Sequence, residues 1–250
     1  MIQLKNAEQI ACMRQAGRIT GEALAKAGEA VRPGVTTKHL DDIIRSYIEK
    51  CGAKPSFLGY GGFPASACVS VNDQVIHGIP NKDTVLCEGD IVKIDVGAFY
   101  RGFHGDSANT FAVGKISAQA QQLIDATKQS FWQGVEAIKP GGRIGDIGHA
   151  VESYVKEFGY SVVRRYVGHG VGRDLHESPE VPNYGTPGRG PRLSAGMTIA
   201  IEPMVNIGGP DVLELADGWT VLTADRSLSA HYEHTVAITE NGVEILTLVE

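Results

Sequence analysis

Val31-Arg32-Pro33-Gly34 returns as Ile138-Lys139-Pro140-Gly141, 107 residues further along the chain (31 to 138). The residues that follow keep the offset. Leu40, Ile43, Ile44, Ser46, Tyr47, Ile48 and Gly52 are matched by Ile147, Ala150, Val151, Ser153, Tyr154, Val155 and Gly159. A lone Pro-Gly match carries little, but a run of matches at one offset marks an internal repeat; chance similarity between two amphipathic helices is the competing explanation.

Each copy reads the same way. A long helix ends at Pro-Gly: Asn6 can cap the first, which carries Ile10, Met13, Leu24 and Val31 on or near one face, and Ser117 the second, with Leu123, Phe131, Val135 and Ile138. A shorter helix follows and stops near Gly52 or Gly159, where a left-handed residue is needed. The chain then turns to β pattern, with β-branched residues concentrated in Ile91 to Val96, Asn109 to Val113, Thr198 to Ile201 and Thr235 to Ile238. The halves span about 1–115 and 116–250 with no Ser/Gly- or Pro-rich linker between them. The expected fold class is therefore α+β: one domain over 1–250, two repeat-related α/β halves sharing a core, helices outside an antiparallel sheet.

The offset also maps Gly89 onto Gly196, Ile94 onto Ile201 and Asp95 onto Glu202. Side chains alternate along a strand, so Val92, Ile94 and Val96 share one face and Asp95 takes the other; Glu202 is likewise opposite Ile199 and Ile201. If the aliphatic faces pack on helices, both carboxylates point toward the middle of the molecule. Each strand is also expected to have a hairpin partner with a second acid. Asp95 and Asp106 are spaced evenly about Tyr100-Arg101-Gly102, and Glu202 and Glu233 about Asp217-Gly218, although Gly208, Gly209 and Pro210 make bulges expected in the second hairpin. Directly opposed like charges destabilise a sheet unless they share a proton or bind a cation. Four carboxylates are too many for one proton-sharing dyad and suit two adjacent divalent ions with shared ligands. Solvated acids at strand ends are the bland alternative.

Composition narrows the field. The 250 residues carry 23 Lys+Arg against 29 Asp+Glu, a formal charge of −6, which disfavours nucleic acid and anionic membrane as partners. No stretch approaches the apolar length of a membrane span, and the N-terminus lacks a charged region followed by an apolar run. The four cysteines form no C-x-x-C pair, so neither a structural zinc site nor a redox motif is visible. A reducing, cytoplasmic setting is expected.

His169 sits in Gly168-His169-Gly170-Val171-Gly172, where close backbone approach would suit a metal ligand, or simply a glycine-rich turn. His77 in Ile76-His77-Gly78-Ile79-Pro80 and His176 in Leu175-His176-Glu177-Ser178-Pro179 are weak signals alone. Rival motifs fail: His176-Glu177 does not continue as H-E-x-x-H, the glycines of 168–172 do not make G-x-G-x-x-G, and there is neither a Walker lysine nor a G-x-S-x-G elbow. Cys68 could be imagined as a nucleophile beside His77, but Ala67 and Val69 favour a small packed cysteine. Tyr60, Phe63 and Trp219 read as core or pocket wall.

Taken together, Ser70-Val71-Asn72 with His77-Gly78-Ile79-Pro80, Lys93-Ile94-Asp95-Val96-Gly97 with Gly105-Asp106, the His169 and His176 segments, Gly196-Met197-Thr198 with Ile201-Glu202-Pro203, and Glu233-His234-Thr235 resemble the type I methionine aminopeptidases over essentially the whole chain, most of all the short bacterial form. The resemblance implies the pita-bread fold and a dinuclear site held by Asp95, Asp106, His169, Glu202 and Glu233. It implies that His77 and His176 contact the scissile peptide, and that a methionine pocket forms around Tyr60, Phe63, Cys68, His77 and Trp219. In that reading Glu202 moves the proton of the attacking water, His176 stabilises the oxyanion and His77 holds the leaving amide nitrogen. The implied substrates are N-termini of nascent peptides, with methionine first and a small residue second. The implied enzyme is a monomer, with the ribosome a candidate partner. Cobalt, manganese, iron and zinc all suit such O- and N-ligands. Phe63 stands where the family often has tyrosine and Leu175 where it often has phenylalanine, changes that touch pocket shape. A proline-specific exopeptidase and a non-catalytic binding protein on the same fold are the alternatives.

Overall fold

The computed structural model describes residues 1–249. Helix α1 (Ala7–Ala30) starts at Asn6, whose side chain accepts from the Gln9 amide at 2.9 Å while the Gln9 side chain accepts from the Asn6 amide at 2.9 Å. This reciprocal box satisfies two amide donors that the first helical turn cannot. Helix α3 (Ala118–Glu136) starts at Ser117 with a single cap bond, its hydroxyl accepting from the Ala120 amide. The shorter α2 (Thr37–Lys50) and α4 (Ile144–Lys156) are followed by Gly52 and Gly159 with φ of 72° and 76°, left-handed positions that a side chain would strain.

The helices of each half cover the strands of that half. Leu24, Leu40 and Ile44 pack on Val92, Ile94 and Val96. Phe131, Ile144 and Ile147 pack on Ile199, Ile201 and Val236. The two sets of strands fuse into one nine-stranded antiparallel sheet, joined where Phe103–Ala112 meets Glu233–Thr239, with Glu233 opposite Ala108 and His234 opposite Ser107. The aliphatic faces thus fill two cores on the helical side, and the acidic faces turn to the other.

The first hairpin differs from expectation. Its strands are longer, Ile91–Tyr100 and Phe103–Ala112, so Asp95 lies mid-strand and not at a strand end. The turn proper is Arg101-Gly102, with φ of 50° and 85° at its two residues and Tyr100 paired to Phe103. Two consecutive positive φ values follow the right-handed twist of the strands. This centre shifts the register by two residues: Asp95 opposes Ala108, and Asp106 opposes Gly97. Because the shift is even, both acids stay on one face, as diagonal neighbours and not as an opposed pair. In the second half the expected register holds. Ile201 pairs with His234 and Met204 with His231, which sets Glu202 opposite Glu233 between the two ladders.

Helix α1 lies on the first hairpin through two glycines. A Cβ on Gly105 would stand 2.7 Å from Gly17 Cα and 2.8 Å from Gly17 N, so helix and strand touch backbone to backbone. Thr20 fastens the contact, its hydroxyl donating to Gly105 O at 3.1 Å and accepting from the Ala98 amide at 3.1 Å. The obstacle to a side chain here is main chain, which cannot swing aside. Gly105→Ala should therefore lower the unfolding free energy by about 3 kcal/mol, the upper end of overpacking costs. Urea denaturation of the variant beside the parent measures it, and an unchanged midpoint would mean that the helix can lift off without cost.

Candidate metal centre

Asp106, His169 and Glu233 offer one donor atom each, all within 4.8 Å of one another. Asp106 comes from the first hairpin, Glu233 from the strand that joins the halves, and His169 from the short strand Gly168–Gly170. Gly170 lets that strand approach its neighbour closely, since a Cβ there would lie 2.5 Å from Ser178 O. His169 Nδ1 lies 2.9 Å from Gly170 O, so Nδ1 carries the proton and donates. Nε2 is then a bare lone pair, 3.7 Å from Asp106 Oδ2 and 3.6 Å from Glu202 Oε1. Asp95 reaches the same space from the middle of its strand, beside Cys68 on the neighbouring strand.

Burial sets the protonation of this cluster. It raises the Asp95 carboxyl to about 7, and raises Asp106, Glu202 and Glu233 well above the usual carboxylate range, with mutual repulsion adding to the last three. It also pushes His169 down to about 3. Burial thus favours the neutral form of the carboxyls and of the imidazole alike, which argues against reading the His169–carboxyl approaches as ion pairs. Asp95 Oδ1, Asp106 Oδ1 and Glu233 Oε1 are sealed from solvent with no hydrogen-bond partner. Orphaned buried acceptors are costly, and a cation is the partner that would satisfy all three together. The donor set, carboxylate oxygens with one imidazole, suits a first-row divalent ion.

The cluster forms one end of a cavity of about 330 Å³. All eleven residues singled out in the sequence line it: Tyr60, Phe63, Cys68, His77, Asp95, Asp106, His169, His176, Glu202, Trp219 and Glu233. Its other end is apolar. Phe57, Phe63, Cys68 and Leu175 form a buried cluster against Trp219, whose ring meets Phe63 edge-on at 5.0 Å. Burial raises the Cys68 thiol well above its ordinary range, with the neighbouring carboxylates adding to the shift, so Cys68 is packed wall and no nucleophile. His77 sits at φ 57°, edge-on to Tyr166 at 5.7 Å.

At the rim, His176 Nδ1 lies 2.8 Å from the Tyr60 hydroxyl, and its ring centre 4.0 Å from that of His169. The next residue, Glu177, anchors this segment. It forms an ion pair with Lys5 in which both side chains are 4% exposed, and accepts from the amide of Arg173 at 2.8 Å. Sequence reasoning had passed over Phe57, Arg165, Tyr166 and His231. The last has its Nε2 3.8 Å from both Glu202 Oε2 and Glu233 Oε2. Period-two alternation could have found it, because residue 231 shares a face with 233.

Known proteins carry the same architecture. The profile of metallopeptidase family M24 matches residues 11–240. A methionine aminopeptidase of Clostridium acetobutylicum is 57% identical over 250 residues, covering all of both chains. The crystal structure of a methionine aminopeptidase from Thermotoga maritima superposes with a TM-score of 0.98 at 46% identity, again over both full chains. A prolidase from Pyrococcus furiosus superposes with a TM-score of 0.79 at 26% identity, over 99% of this chain and 66% of its own.

Protonated carboxyls must ionise before they can hold a cation. With Asp95 at about 7 and its neighbours also raised, Mn(II) binding at pH 6 should expel at least one proton per chain, and apparent affinity should rise with pH from 6 to 8. Titration calorimetry in buffers of different ionisation enthalpy reads the proton count; zero release at pH 6 would contradict the protonated cluster.

Proposed function

The chain belongs to metallopeptidase family M24, and on that premise we propose that it removes the initiator methionine from new polypeptides, using two divalent ions held by Asp95, Asp106, His169, Glu202 and Glu233. The observation that carries this reading is one cavity whose acidic end meets an apolar end lined by Phe57, Phe63, Cys68, Leu175 and Trp219. A methionine side chain, long, flexible and without hydrogen-bonding demands, matches the apolar end. The identity to methionine aminopeptidases, 57% and 46% over full chains, against 26% to a prolidase, favours methionine over a proline-directed specificity. A site whose donors all lie on one chain needs no second copy, and nascent N-termini as substrates would put the reaction in the cytoplasm.

Bound divalent ions supply a water that ionises near neutral pH and a positive charge against the scissile carbonyl. The residues of the chain do the rest. Glu202 is the proton carrier: burial weakens it as an acid, so it can take a proton from the attacking water and return it to the departing amine. Tyr60 is able to donate to His176 Nδ1, which leaves the histidine proton on Nε2 for the developing oxyanion. His77, pushed down to about 4 by burial, enters as a neutral imidazole and holds the leaving amide. His77 stands edge-on to Tyr166 at 5.7 Å and to Trp219 at 6.3 Å, a crowding that favours a small second residue.

Two outcomes test this. Met-Ala-Ser should be hydrolysed faster than Leu-Ala-Ser or Ala-Pro-Ser by at least about 10²-fold in kcat/KM, the discrimination a shaped apolar pocket can reach; comparable rates would place the specificity elsewhere. Glutamine at 202 keeps size and one oxygen but cannot accept a proton. With metal content verified on the same sample, Glu202→Gln should lose about 10²–10⁴-fold in kcat. Near-parental turnover by the metal-loaded variant would reduce Glu202 to a ligand.

A further inference from the structure

His231 lies at the end of the strand Ser229–His231, with its backbone held at both groups by Thr110, whose hydroxyl accepts from the His231 amide at 2.9 Å and donates to its carbonyl at 2.8 Å. The side chain is 2% exposed, and among the described residues neither ring nitrogen has a hydrogen-bond partner. An imidazole sealed from water with both nitrogens unsatisfied is an expensive object, and the two-point backbone clamp prevents it from turning away with its strand. Its surroundings show what it is for. Nε2 is equidistant, at 3.8 Å, from Glu202 Oε2 and Glu233 Oε2, the two acids that the strand register sets opposite each other. Glu202 is thereby flanked by two imidazoles, His169 toward Oε1 and His231 toward Oε2.

The two histidines differ in one respect. His169 spends Nδ1 on a backbone carbonyl, which bares Nε2 for ligation. His231 has no such carbonyl, so nothing fixes its proton on Nδ1. It is free to carry the proton on Nε2, toward the carboxylates. A carboxylate that binds a cation through one oxygen still needs donors for its other lone pairs, and such outer donors fix its orientation.

Resting on the metal-site reading given above, we infer that His231 is a positioning residue: from its place 3.8 Å away, its Nε2–H closes on the Oε2 atoms of Glu202 and Glu233 when metal is bound and holds the carboxylates in the orientation that binds it. The role needs no change of charge, because neutral and protonated imidazole can both present Nε2–H. Nor is it direct ligation, for which Nε2 would have to be bare.

The test is Mn(II) affinity of the full-length protein by titration calorimetry, for the parent, His231→Leu and His231→Gln, each checked for fold by its thermal transition. The leucine variant should bind Mn(II) about 10–100-fold more weakly, the usual cost of losing an outer donor. The glutamine variant, which keeps an N–H donor, should stay within a few-fold of the parent by the same reasoning. A purely structural histidine predicts a leucine variant with altered melting temperature and unchanged affinity, and that result overturns the inference. Failure of the parent itself to bind Mn(II) would instead overturn the metal-site reading. Should the leucine variant not fold, long-range proton–nitrogen spectra of the Zn(II)-loaded parent, with His231 assigned through the glutamine variant, settle the matter: a protonated Nε2 supports the donor role, and a bare, metal-shifted Nε2 refutes it.

Discussion

Four carboxyl groups and an imidazole are held together out of water, and the rest of the architecture follows from the need to keep them there. No pair of them is an ion pair; as charges, the acids would repel, and burial offers them nothing in return. The cluster survives because each member hangs from a strand whose opposite face is committed to a core. Asp95 cannot retreat without exposing Ile94 and Val96, and Glu202 cannot retreat without exposing Ile201. Packing energy on the outer faces thus holds an electrostatically unfavourable arrangement in the middle, a form of stored preorganisation released when a cation arrives.

The same economy governs the supports. Helix α1 comes close enough to hold the first hairpin because Gly105 puts no side chain against the main chain of Gly17. The rim residue His176 is held by the Tyr60 hydroxyl on one side, and on the other by the Lys5–Glu177 pair, which reaches it from the far end of the chain. Glu202 and Glu233 face each other where one ladder between their strands ends and the next begins, so they are not joined to each other by ladder hydrogen bonds. His231, paired with Met204 at the near end of the second ladder, borders that junction.

Much of this was legible in the residues. The repeat at one offset marked two halves and mapped Asp95 onto Glu202, while Asn6 and Ser117 announced the helix starts by residue type alone. The second register followed from Asp217-Gly218, because the loop around it is symmetric enough to bring 202 to 233. The first register was misjudged by two residues: Tyr100 was counted into a turn that consists of Arg101-Gly102 alone, and the strands continue to Tyr100 and Phe103. Facing survived the error because the slip was even; an odd slip would have buried an acid among aliphatics. His169, His77 and His176 were carried by family resemblance, since a histidine's tautomer and neighbours depend on contacts that lie far away in sequence. His231 carries one local signal, its place two residues before Glu233 on the same face, while its approach to Glu202 depends on a register some thirty positions upstream.

The seam between the halves, where Ala108 meets Glu233, has a consequence for how the molecule comes into being. A ribosome makes the chain from Met1 onward, and Asp95 and Asp106 emerge long before the strand that completes them. A fragment ending short of Glu233 has half a sheet with two buried acids and no partner edge. Long-range pairings of this kind close late, after the loop entropy of the intervening chain has been met. Until Glu233 has been made, the acidic cluster lacks one of its donors and the first hairpin lacks the edge it pairs with, so the site cannot exist in advance of the fold.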